Sequence, residues 1–126
     1  MTDYRELVED MPVGLDRALL RVMDFHHGKH AAIGRGELVR QVANCGFKVH
    51  ERAMREAIKQ LRRQGVLICS VPGEDGGYYL AANAQEFYEF ARMEFEGKIA
   101  DMSQTLTAMR AAAVREFGEG VQRTLF

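Results

Sequence analysis

The 126-residue chain has no tryptophan, only two prolines and two cysteines, and no long apolar run. A membrane-spanning helix needs about 18 consecutive apolar residues, which the sequence never approaches, so we expect no membrane partner. Cys45 and Cys69 are too few for a disulfide framework and lack the CxxC spacing of many zinc and redox sites. The polar, acidic segment 1–10 does not resemble a secretory signal. We therefore expect a reduced, cytoplasmic protein.

Motifs for catalysis and metal binding are missing too. The sequence contains no nucleophile elbow, Walker loop or HExxH motif, so we do not expect an enzyme. The glycine-rich segment 73–77 lacks the lysine and the helix start of a phosphate-binding loop. His26, His27 and His30 are clustered, but Gly28 interrupts the helix that would align them. No cofactor and no metal are expected.

The charge of the chain is unevenly distributed. The net charge is −1, yet residues 35–63 contain eight Lys or Arg and three acids, a balance of +5 that leaves −6 for the rest. Such asymmetry within a short chain indicates a surface for a polyanion such as nucleic acid. The alternative is an ordinary solvated helix face, which charge alone leaves open.

The hydrophobic pattern predicts several short helices and one hairpin. Apolar residues at helical spacing predict amphipathic helices over residues 15–25, 35–44 and about 50–64, with a short extended segment at 31–33. The period then changes to that of strands, and β-branched and aromatic runs flank a Pro- and Gly-rich turn. We expect the strands over 66–71 and 78–81, separated by the turn at 72–77.

A long helix follows the hairpin. Asn83 can cap its start, with Glu86 as the capping-box partner, and Gly118 ends it after Phe117. At a rise of about 1.5 Å per residue, such a helix is roughly 50 Å long. The predicted fold class is mainly α with a small β-hairpin (α+β). Its predicted parts are an N-terminal arm (1–13), a helical and hairpin domain (14–82), the long helix (83–118) and a tail (119–126).

The order of these elements matches the winged helix-turn-helix, in which the second helix of the pair enters the major groove. The chain resembles this DNA-binding superfamily over residues 34–43 and 52–67. Its segment Gly-Gly-Tyr-Tyr-Leu-Ala at 76–81 is similar to the wing of Rrf2-type bacterial regulators, and the layout resembles small phage and prophage winged-helix proteins. Two departures are His50 in place of a Ser or Thr helix cap and a slightly long turn. A third is the lack of a cysteine cluster after the wing, which argues against an iron–sulfur cluster.

The resemblance implies binding to double-stranded DNA and assigns roles to the basic residues. The candidates for contacts with base edges lie in the first turns of the helix over 50–64 and are Glu51, Arg52 and Arg55. The candidates for contacts with phosphates are Arg35, Arg40, Lys48, Lys59, Arg62 and Arg63. Glu74 and Asp75 at the predicted wing tip would repel phosphates, so we expect the wing to avoid the minor groove or to serve packing.

The long helix also carries a near-heptad row of apolar residues. The row consists of Phe95, Ile99, Met102, Leu106, Met109 and Ala113, at alternating spacings of four and three. It predicts a homodimer seam, and two-fold pairing would give a DNA-binding module a second half-site. The alternative is that the helix folds back on its own domain.

Three hypotheses for function remain open on the sequence. The first is a dimeric, sequence-specific DNA-binding transcriptional regulator of bacterial or phage type. The second is a phage-type replication or assembly accessory factor that uses the winged helix mainly to bind a protein. The third is a small-molecule or redox sensor with a site beside the long helix.

Overall fold

The computed structural model describes residues 4–118, so the predicted tail at 119–126 lies outside the described residues. The helices are α1 (Arg5–Asp10), α2 (Leu15–Met23), α3 (Arg35–Asn44), α4 (Glu51–Arg63), α5 (Ala84–Ala91) and α6 (Gly97–Phe117). The strands are β1 (Ile33–Gly34), β2 (Ile68–Ser70) and β3 (Gly77–Leu80). A 3-10 turn spans Lys29–Ala31 and a π-helical turn spans Arg92–Glu96. The chain divides into two compact units, one ending at Glu89 and one beginning at Phe90.

The expected α+β class is confirmed: the structure is mainly helical, with a small antiparallel sheet and a long C-terminal helix. The sheet has three strands in the order β1-β3-β2, namely the two strands of the predicted hairpin and the short extended segment expected before α3. Gly34 of β1 pairs with Gly77, and Cys69 of β2 pairs with Tyr79. The extended segment expected at 31–33 begins at Ile33 instead, because residues 29–31 form the 3-10 turn.

The core of the first unit is formed by the apolar faces of α2, α3 and α4 and by one face of the sheet. The largest fully buried side chains include Leu19, Leu20, Met23, Leu38, Val42, Ile58, Leu61, Ile68 and Leu80. Burying one such side chain contributes about 1.5–3 kcal/mol. Tyr4 and Val8, in the segment predicted as an arm, are also buried, and the Tyr4 hydroxyl accepts a hydrogen bond from the Leu67 N–H.

Asn83 caps the start of α5 as the sequence predicts, but the Glu86 carboxylate does not accept the Asn83 N–H that a capping box requires. The Asn83 Oδ1 accepts the Glu86 N–H at 2.9 Å, which satisfies one of the unpaired donors of a helix N-terminus. The Glu86 carboxylate accepts the N–H groups of Ala82 at 2.8 Å and Lys29 at 2.9 Å, and so ties the 3-10 turn to this helix. The hydrogen bonds from Lys29 and Ala82 hold the pKa of Glu86 below its usual value.

The second face of the sheet buries a polar pair. Cys69 and Tyr79 are cross-strand neighbours, and both side chains are buried. Burial disfavours the charged form of each group, which raises the pKa of Cys69 to about 11 and the pKa of Tyr79 to about 12. Cys45, at the end of α3, is exposed.

In the second unit, the helical backbone runs from Phe90 through the π turn into α6. The π turn brings Phe90 and Phe95 into edge-to-face contact, with ring centroids 5.6 Å apart. Residues five apart do not meet on a regular α-helix, so this contact depends on the wider turn. Among residues 4–118, no helix has the length and apolar character needed to cross a membrane.

Two glycines that pair across the sheet differ in the space around them. A Cβ on Gly77 would lie 1.9 Å from the Ile33 carbonyl oxygen, whereas a Cβ on Gly34 would meet nothing within 4 Å. We expect Gly77→Ala to lower the free energy of unfolding by about 3 kcal/mol, because strand β1 must shift. Gly34→Ala is the matched control and should change it by less than about 0.5 kcal/mol. Urea unfolding followed by circular dichroism measures both, and equal effects would contradict the register of β1 and β3.

The buried thiol makes stability depend on pH in the alkaline range. The Cys69 thiol ionises near its ordinary pKa of 9.0 in the unfolded chain but only near 11 in the fold. The unfolded state therefore loses its proton first, and the stabilisation present below pH 9 is lost as the pH rises towards 11. We expect unfolding free energy to fall more steeply over this range in the wild type than in Cys69→Ala.

The exposed cysteine supplies the control for that experiment. Cys45→Ser should keep the wild-type pH dependence, because Cys45 is exposed in the fold. In the native protein, Ellman's reagent should label Cys45 quickly and Cys69 only on unfolding. Rapid labelling of both thiols would contradict the buried position of Cys69.

Candidate nucleic-acid interface

Helix α4 has one apolar face and one basic face. Met54, Ala57, Ile58 and Leu61 are buried, and together they anchor the helix to the core. With successive residues about 100° apart around a helix, Arg52, Arg55, Lys59 and Arg63 fall within one sector on the opposite side. We call these four residues the basic row. The packing of the apolar face therefore fixes the direction in which the basic row points.

The basic row is directed to solvent, and its four side chains form no ion pair within the described residues. Within residues 4–118, Arg52, Arg55, Lys59 and Arg63 are exposed and take part in no hydrogen bond or ion pair. The same holds for Lys48, which lies in the loop before α4. The side chain of Glu56, which lies on the same helix, accepts a hydrogen bond from Gln60. The guanidinium and ammonium donors of this face are thus available to an external partner.

Arg62 lies at the flank of the basic row. Its Nε donates a 2.8 Å hydrogen bond to the Ile68 carbonyl, and the residue is half-buried. The sequence placed Arg62 among the phosphate-contact candidates, and its spacing gave no sign of this internal role. The structure uses at least this nitrogen to hold the end of α4 against the start of β2.

Arg40 is exposed on α3 and bound to a neighbouring acid. It donates to the Glu37 carboxylate, which also accepts from Gln41, and the hydrogen bond from Arg40 is the main reason that the pKa of Glu37 is lowered. The Glu37 carboxylate thus accepts hydrogen bonds from side chains of its own helix. Because the Arg40–Glu37 pair is exposed, water and other ions compete for both partners.

Arg35 fastens the β2–β3 loop to the start of α3. Its Nη1 donates to the Gly73 carbonyl at 2.8 Å and its Nη2 to the Val71 carbonyl at 3.4 Å. Its backbone N–H also donates to the Gly76 carbonyl at 3.4 Å. Glu74 and Asp75, at the tip of this loop, are exposed. The role of Arg35 in the structure is therefore to hold the β2–β3 loop against α3.

Three of the sequence-predicted site residues meet in one shallow depression. Its lining residues come from α3, α4 and β3 and are Arg35, Val39, Glu51, Met54, Arg55 and Tyr78. Arg35, Glu51 and Arg55 were selected from sequence, whereas Val39, Met54 and Tyr78 were not. Val39 and Met54 follow the apolar spacing of their helices and Tyr78 lies in the second predicted strand, and only the fold brings their edges to this surface. The depression thus lies between Arg55 of the basic row and Arg35, the residue that holds the β2–β3 loop.

The predicted dimer seam lies along one side of the second unit. Ile99, Met102 and Met109 are 64, 70 and 65% exposed, and Leu106 is 39% exposed. Phe95 is also exposed, and Ala113 is half-buried. This row of apolar side chains on α6 is more exposed than a single folded chain needs.

Two of the three clustered histidines, His26 and His27, form local hydrogen bonds. The His26 Nδ1 contacts the Ala31 carbonyl at 2.8 Å, and the His27 Nε2 contacts the Asp24 carboxylate at 3.0 Å. In the described part of the chain, no three His, Cys, Asp or Glu side chains converge as a metal site would require. His26 and His27 thus have structural roles, since each side chain contacts an oxygen of a nearby residue.

Arg35 and Arg52 offer a direct comparison between a clamping and a free arginine. We expect Arg35→Ala to lower the free energy of unfolding by about 1–2 kcal/mol, because it removes two hydrogen bonds to loop carbonyls. Arg52→Ala should change it by less than about 0.5 kcal/mol. Hydrogen exchange should show faster opening near Gly73–Gly77 only in the first variant. Equal protection of the loop in both variants would contradict the clamp.

The chain was compared with models of protein families, with characterised proteins and with solved structures, and none of them matches it significantly.

Proposed function

We propose that the first unit is a winged helix-turn-helix domain that binds double-stranded DNA, and that the protein acts as a dimeric transcriptional regulator. In this proposal α3 and α4 form the helix-turn-helix, α4 is the recognition helix, and the β2–β3 hairpin is the wing. The observation that carries the proposal is the basic row of α4: four exposed, unpaired cations opposite the buried face of the same helix.

The chemistry of the row fits a duplex. Each cation that meets a phosphate releases a condensed counterion, which makes DNA binding favourable at low salt. Near the start of α4, Arg52 and Arg55 have guanidinium groups suited to bidentate contact with guanine, and Glu51 can accept from the cytosine amino group. Lys59, Arg63 and Lys48 lie along and beside the same face and suit phosphate contacts.

The wing has a different role in this proposal. Its tip carries Glu74 and Asp75, which repel phosphates, so the tip stays out of the minor groove. Arg35 holds the wing against α3 through the carbonyl groups of Val71 and Gly73. The wing thus serves mainly to pack against α3 and to limit the direction from which DNA approaches.

The exposed apolar row of α6 supports the dimer. A helix with a sustained apolar seam gains stability when a second helix covers it. Two-fold pairing also gives two recognition helices for two half-sites, which raises both affinity and specificity. Two methionines and one alanine among the six seam residues favour moderate rather than tight association.

The test begins by selecting a duplex from random DNA with the purified protein. Arg52→Ala combined with Arg55→Ala should weaken binding to the selected duplex by about 100-fold, with a smaller effect on random duplex, because each removes a base contact. Lys59→Ala combined with Arg63→Ala should weaken binding to both duplexes. It should also reduce the salt dependence, the slope of log K against log salt, by about 2.

The control removes two exposed arginines outside α4, Arg21 and Arg92. Arg21→Ala combined with Arg92→Ala should retain wild-type affinity on the selected duplex. If the control and the α4 variants lose affinity equally, α4 is not the recognition helix. If the wild type binds no duplex in a salt-dependent manner, the DNA-binding proposal is wrong.

A further inference from the structure

The apolar row of α6 is flanked by charges whose arrangement depends on how a second copy lies against it. Ile99, Met102, Leu106 and Met109 lie within the regular α-helix, and all four are exposed. In heptad terms, the e positions beside the row include Glu96, Ser103 and Arg110, and the g positions include Lys98 and Thr105. Glu96 directly precedes α6 with helical backbone angles (φ −63°, ψ −39°), so it continues the same helical phase.

Two parallel α6 helices would form no pair of opposite charges between the chains. In a parallel coiled coil, each g residue faces the e residue five positions later on the partner. Lys98 would then face the partner's Ser103, and Thr105 would face the partner's Arg110. A parallel seam would also place Phe95 against itself and Ala113 against itself, which gives one crowded layer and one empty layer.

An antiparallel pair matches both size and charge. With all six seam residues in register, Phe95 faces the partner's Ala113, Ile99 faces the partner's Met109, and Met102 faces the partner's Leu106. The large Phe95 then meets the small Ala113, and the other two layers each combine side chains of similar size. Both arrangements suit close packing. Each layer occurs twice, because the two chains are related by a two-fold axis.

The same register brings opposite charges together. Glu96 faces the partner's Arg110 at both ends of the seam, while Ser103 and Thr105 lie near their own copies at the two-fold axis. Lys98 faces the partner's Ala112, and it is already paired with Glu94 of its own chain at 2.7 Å. No like charges face each other across this seam.

We propose that α6 is the interface for a second copy of this chain in antiparallel orientation, with two Glu96–Arg110 pairs between chains fixing the register. This inference rests on the dimer of the proposed function and adds its geometry. The C-terminal end of each α6 lies beside the N-terminal end of the other. Along the helix axis, the two Gly97 residues are then about 21 Å apart, at a rise of about 1.5 Å per residue.

Charge reversal tests the orientation. We expect Glu96→Arg alone or Arg110→Glu alone to raise the dimer Kd by about tenfold at low salt, because both interchain pairs become repulsive. The double variant Glu96→Arg with Arg110→Glu should return the Kd close to the wild-type value. An equimolar mixture of the two single variants should associate as tightly as wild type, since opposite charges then face each other between unlike chains.

The matched control is Gln104→Arg, which changes the charge on the face of α6 opposite the seam and should leave the Kd unchanged. Analytical ultracentrifugation measures the Kd, and circular dichroism checks that each variant keeps its helix. A wild-type dimer whose single variants show no rescue in the double variant or in the mixture overturns the antiparallel register but not the dimer. A wild-type chain that remains monomeric overturns both, whereas the DNA-binding measurements on α4 are unaffected by either outcome.

Discussion

The structure of the first unit depends on the burial of one face of α4. Ile58 and Leu61 are almost fully enclosed by the core, and the remaining buried residues of the helix lie on the same side. Each such side chain adds a few kcal/mol to the helix–core contact, which no exposed charge can match. The orientation of the basic row is therefore set by hydrophobic packing, and its cations remain unpaired on the outer face.

The loop next to this helix is held by a different kind of interaction. Arg35 satisfies the carbonyl groups of Val71 and Gly73, and the close approach of Gly77 to the Ile33 carbonyl leaves no room for a side chain. Both constraints fix the hairpin relative to α3. They also explain why an arginine selected from sequence as a phosphate contact contributes first to the local structure of the protein.

The candidate interface was only partly predictable from residue types and spacing. Arg52, Arg55, Lys59 and Arg63 are exposed on one side of α4, as their helical spacing indicates. The same spacing did not reveal that Arg62 donates to the Ile68 carbonyl, because that partner belongs to a strand whose position depends on the fold. The likeness of the domain to winged-helix proteins remains a prediction supported by element order, and the seam of α6 remains a proposed interface.

The sequence by itself determined the fold class, the approximate positions of the helices and the hairpin, and the amphipathic character of α4, since these follow from local periodicity and turn residues. Tertiary structure alone decided that the extended segment at Ile33 pairs with β3 as a third strand, and that Cys69 is buried against Tyr79. It also decided which arginines bind carbonyl groups of their own chain. The physical reason is that these contacts join residues distant along the chain, and their geometry exists only once the core has packed.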